Sequence, residues 1–179
     1  MGSAVNALRI ACCLALLALP APAKAVVETL DQLQERFDRE HDAVRKAKML
    51  QKLGDAQFAR EREAAKTGDY QTVGLVMEKY RDNARAALDA VKKVHPNAER
   101  NPGGYKQLEM HTQAGLREVN DLLLTVPEPF LPPLQIVKTD LLAIDDELLH
   151  LLFPRRPGEK PVPSKSDGVV ATPAGEKKP

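Results

Sequence analysis

Four histidines, His41, His95, His111 and His150, are the first residues to weigh for chemistry, because neutral imidazole is a common metal ligand. Helical bundles hold metals by aiming a Glu-x-x-His from each of two helices, plus two more glutamates, into the core. Glu147-Leu148-Leu149-His150 has that spacing, and Asp38-Arg39-Glu40-His41 approximates it. Counting along the helices puts His41 level with His95 and His111 level with His150, the two levels about 10 Å apart at the helical rise. At about 100° per residue, however, His150 points roughly 150° away from its helix's apolar stripe. It then forms an ordinary i, i+4 pair with Asp146. His111, on the flank of its stripe, is the best single ligand, and the set it could complete is His111 with His41 or Glu118. That coordination sphere is incomplete, so neither a metal nor another cofactor is expected, and a metal- or haem-binding bundle is the second reading.

Haem has little to hold it. There is no Cys-x-x-Cys-His, and Met77, which faces inward, reads as core filler. Nucleophilic chemistry is no better supplied. Ser164 and Ser166, the only serines after the N-terminal segment, lie in a proline- and lysine-rich tail. Carboxylates abound, but they belong to charged faces such as Asp145-Asp146-Glu147, with no pair forced together in an apolar pocket. No catalytic residue is named, and the protein reads as a non-enzyme.

The elements that must position these residues are helices. Tyr70, Val73, Met77, Tyr80, Ala84, Ala87, Val91 and Val94 alternate steps of three and four, the rhythm of a coiled-coil seam. Val26 to Thr67 reads as one long helix that bends at Gly54, closed by Gly68 as a left-handed cap, with Asp69 starting the next helix. Gly68-Asp69-Tyr70 resembles the inter-helix turn of a tetratricopeptide repeat, but no second copy follows at the 34-residue period, so it is a generic tight turn. After a loop rich in proline and glycine, Tyr105, Leu108, Thr112, Gly115, Val119, Leu122 and Val126 repeat the rhythm. Set antiparallel to the preceding helix, this seam pairs Ala84 with Gly115 and Val91 with Leu108, with small residues meeting mid-length. Pro127 to Pro133 reads as a polyproline-like turn, whose Phe130 and Leu131 plug the bundle end. Leu134 to Phe153 is the last helix, with Leu134, Val137, Leu141, Ile144, Leu148 and Leu151 inward.

Arg9, the apolar run Ile10–Leu19 and Ala23-Lys24-Ala25 have the layout of a secretory signal peptide cut after Ala25. The run is too short to span a bilayer, so no transmembrane segment is expected in the mature chain. Cys12 and Cys13 would leave with it, and the exported protein would fold without a disulfide. Of the 26 lysines and arginines, losing Arg9 and Lys24 leaves 24 against 25 acidic residues, which gives no general pull toward nucleic acid. Aromatic residues make up only 4% of the chain, so the core must be aliphatic.

The expected fold is therefore all-α: an up-down-up-down four-helix bundle over residues 26–153, following a signal peptide at 1–25 and preceding a disordered tail at 154–179. The first helix, being longer than the others, would overhang them by about 20 Å. Val27, Leu30, Leu33 and Phe37 on that overhang form an apolar stripe that needs a cover. The expected function is non-catalytic, helix-mediated binding of a protein partner, or homo-oligomer formation, in the periplasm or outside the cell.

Overall fold

The structure, a computed structural model, describes residues 28–154; the expected signal peptide, Val27 of the apolar stripe and the tail from 155 onward lie outside them. Among the described residues there are five α-helices and no strand: α1 (Leu30–Arg39), α2 (Ala43–Lys66), α3 (Tyr70–Val94), α4 (Gly103–Thr125) and α5 (Leu131–Leu152).

The long first helix is two helices, and the break is not at Gly54. It falls at Glu40–Asp42, where Asp42 accepts a hydrogen bond from the Arg45 N–H at 2.8 Å and so caps a new helix. The Glu40 carboxylate accepts the Asp42 N–H at 2.8 Å and holds the corner. The chain then doubles back. Glu28 pairs with Lys52 at 2.8 Å, and the Lys46 ammonium lies 4.7 Å from the centre of the Phe37 ring. No overhang is left: Leu33 and Phe37 are buried in the chain's own core, and Leu30 packs against it. Helix α2 continues unbroken through Gly54, whose bare Cα leaves room for a neighbour: a Cβ there would lie 2.9 Å from the Tyr80 ring.

The turn at 67–69 forms as its residues require. Gly68 has φ +76°, and the Asp69 N–H donates to the Ala64 carbonyl at 2.9 Å. Asp69 then caps α3 by accepting from the Thr72 N–H at 3.1 Å. The last helix starts at Leu131, three residues before the expected start. Pro132 and Pro133 fit its first turn, where an N–H would have no partner anyway. A short 3-10 turn, Glu128–Phe130, precedes it in place of an extended polyproline stretch. Phe130 remains partly exposed against Tyr70, with ring centres 5.6 Å apart.

Helix α2 packs on α3 and α4, α5 packs on the same two, and α2 and α5 do not touch. The pair α3–α4 is therefore not a side-by-side hairpin. It is the inner contact of the bundle, and Tyr80 fills it. A Cβ on Gly115 would lie 2.2 Å from the Tyr80 ring, and one on Gly104 would lie 3.1 Å from Val91. Gly115 thus faces Tyr80 where Ala84 was expected, a slip of one helical turn. The cause is the bulk of the tyrosine, which needs two glycines, Gly54 and Gly115, to lie between α2 and α4. Its ring centre is 4.7 Å from that of Phe58, and its hydroxyl donates to the His111 carbonyl at 2.5 Å. Burial holds the phenol well above its ordinary pKa, so it stays a donor.

Candidate carboxyl site between α2 and α4

Residues Ala43, Ala47, Leu50, Gly54, Gln57, Glu61 and Ala64 are all buried, and their steps alternate four and three. Two polar residues, Gln57 and Glu61, therefore occupy seam positions of α2. Glu61 is 1% exposed, and neither of its oxygens meets a donor from the described residues. Across the contact with α4 stands Glu118, whose carboxylate takes a two-pronged hydrogen bond from Arg62, at 2.7 Å to Nε and 2.5 Å to Nη2.

Two ionised carboxylates offer each other no donor; one shared proton supplies it. Burial, then the hydrogen bond and charge of Glu118, push the Glu61 carboxyl up to about 7, with Arg62 pulling the other way. Near neutrality the pair thus holds a proton that separate glutamates would have lost. An open cleft of about 370 Å³ runs along it, lined by Glu61, Arg62, Ala65, Glu118, Leu122 and Thr125 among others.

The expectation that no carboxylates are brought together is therefore corrected by this pair. The signal was present: the three-four rhythm that marks α3 also runs through α2 and lands on Glu61. A stripe drawn through the apolar residues alone drifts toward Met49, Leu50 and Leu53 and passes Glu61 by. That Glu118 is the partner could not be read from one helix, because it depends on which faces α2 and α4 turn to each other.

The histidines do not converge. His41 is exposed in the corner between α1 and α2. His111 is buried with Nδ1 unpaired, and burial lowers its pKa while Asp55 opposes the shift. Glu118 pairs with Arg62 across the α2–α4 contact. Among the described residues, no group of three or more His, Cys, Asp or Glu side chains could hold a metal ion. His150 pairs with exposed Asp146 at 3.4 Å, as its helical angle requires. His95 acts on Asp42, so the 40–42 corner and the end of α3 do share one end of the bundle.

Of the apolar stripe expected to bind a partner, Leu33 and Phe37 are core residues and Leu30 is half-buried. Solvent-exposed apolar side chains include Leu142 (49% exposed), Leu149 (40%) and Ile136 on α5, and Phe153 (62%) just past its end; Leu75, Val94 and Leu124 are exposed elsewhere. Leu142 and Leu149 stand at i and i+7, along one face of the helix. Met110 on α4 is exposed too; it lies one turn before Gln113, which donates to Asp145 of α5 at 2.8 Å. No described helix is long and apolar enough to cross a membrane. Neither the family models, the curated proteins nor the solved structures contain a match to this chain.

Proposed function

We propose that this is an exported, non-catalytic helical-bundle protein, its helices α2 to α5 running up-down-up-down, which acts by self-association through the outer face of α5. The reading rests on one observation: Leu142 is half-exposed in the middle of α5, with Lys138 and Asp146 four residues to either side. On a helix these three share one face.

A two-fold contact pairs a surface with itself, so residue i meets j and j meets i. With α5 laid antiparallel on a second α5 and the axis on Leu142, each Lys138 faces the other copy's Asp146. The charges then complement each other twice around an apolar centre. Leu149 extends the apolar strip away from the axis, Lys138 makes no ion pair among the described residues, and Asp146 would share with Lys138 the exposed carboxylate that now pairs with His150 at 3.4 Å. Export is supported by the N-terminal layout of Arg9, Ile10–Leu19 and Ala23-Lys24-Ala25.

The test is molar mass in solution, using mature protein recovered from its own cell and checked for an N-terminus at Val26. Twice the chain mass is expected. Leu142→Asp, at a site that is already half in water, should leave the helical signal intact and give the single-chain mass. Lys138→Glu should weaken the dimer, and adding Asp146→Lys should restore it. A single-chain mass across the concentration range, or a dimer indifferent to Leu142→Asp, would overturn the proposal.

A further inference from the structure

Independently of self-association, we propose that the α2–α4 cleft binds a small primary ammonium ion, held between the carboxylates of Glu61 and Glu118. Three observations converge there. Glu61 is nearly wholly buried, lines the cleft, and among the described residues has no donor on either oxygen beyond the proton it shares with Glu118. Glu118, its neighbour, is held in place by the two-pronged Arg62 contact, so the acceptor is fixed before any ligand arrives. Ala65 and Leu122 line the same space, which at about 370 Å³ lies at the small end of ligand sites.

Two carboxyl groups that share a proton are a place where another cation can take the proton's position. An ammonium carries three N–H donors and needs only a few oxygens around it. Glu61 and Glu118 supply two acceptors. Thr125, whose hydroxyl hydrogen goes to the Asp121 carbonyl at 3.2 Å, lines the cleft with its oxygen free to accept. A divalent metal is a poorer match, because three ligating side chains do not converge among the described residues. The charged groups around Glu61 are Glu118 and Asp121 from α4, and Arg62 and Lys66 from its own helix; no charged group of α3 or α5 acts on it. Lys66 pairs with Glu63 at 3.4 Å, and Arg62 donates to both oxygens of Glu118. The alkyl part of the ligand then lies on Ala65 and Leu122.

Binding exchanges one proton for one cation, so affinity should rise with pH as Glu61 ionises. The experiment titrates n-butylammonium into the full mature chain and follows the methyl resonances of Ala65 and Leu122. Tetramethylammonium, equal in charge but without N–H donors, is the control. Saturable shifts are expected with butylammonium only, with affinity about tenfold higher at pH 8 than at pH 6, and with close to one proton released per ligand bound at pH 6, falling toward none at pH 8. Glu61→Gln keeps the shape and removes the charge, so it should abolish saturation while the helical spectrum stays unchanged. Linear, unsaturated shifts, equal responses to both cations, or binding that survives Glu61→Gln would each overturn the proposal.

Discussion

Replacing Gly115 by alanine sets two effects of known sign against each other. Alanine is the better helix former by about 1 kcal/mol, so at an open mid-helix position the change should stabilise. At Gly115 the new Cβ would sit 2.2 Å from the Tyr80 Cε1 and 2.8 Å from its Cζ. The ring cannot retreat. Its opposite edge would lie 2.9 Å from a Cβ on Gly54, Phe58 stacks against it at 4.7 Å, and its hydroxyl is tied to the His111 carbonyl. Either α4 moves away from α3 or Tyr80 leaves its rotamer, and overpacking of this kind costs about 1–3 kcal/mol. The upper end applies because the contact is with a fixed ring, so the net loss should be about 2 kcal/mol, or roughly 6–8 °C in the melting midpoint. Gly74→Ala is the matched control: it lies in α3, and its nearest neighbour would be Pro133 Cβ at an ordinary 3.8 Å. It should gain up to about 1 kcal/mol. Urea unfolding followed by the helical circular dichroism signal measures both, and Tyr80→Leu in the Gly115→Ala background should recover part of the loss. If Gly115→Ala is as stable as Gly74→Ala, Tyr80 is not wedged between the two glycines.

Two further outcomes are expected from the same packing. Glu61 has a folded pKa raised to about 7, above the 4.5 of an ordinary glutamate, so between these values the folded state binds more protons than the unfolded one. Stability should therefore fall as pH rises through this window, and the unfolding midpoint should be lower at pH 8 than at pH 6. Glu61→Gln should flatten that dependence; parallel pH profiles for the two proteins would show that the group does not titrate this way. Phe37→Ala removes a core side chain if α1 folds back as described, and should cost roughly 3–5 kcal/mol in the same urea assay. A loss under about 1 kcal/mol would mean that the ring is at the surface, as on an overhanging helix.

Much of the local structure comes from local chemistry and was legible without coordinates. Gly68 takes a left-handed conformation that other residues avoid, Asp69 caps the helix that begins at Tyr70, and the three-four spacing from Val73 to Val91 marks one buried face. Each rule involves residues within one or two turns of each other, so the order of the chain carries it. The His150–Asp146 pair belongs to the same class.

Chain order does not contain which stripe meets which. The α1–α2 corner illustrates this: Asp42 looks like any acidic residue on a charged face until the gain from burying Leu33 and Phe37 favours a break there over a continuous helix. The α3–α4 register was set by the size of Tyr80 against two distant glycines, an effect that pairing small residues with small ones misses. Glu61 sat on a readable seam, but its proton and its partner are products of α2 lying against α4. Burial and the nearness of a second charge are properties of the assembled bundle, and no spacing within a single helix encodes them.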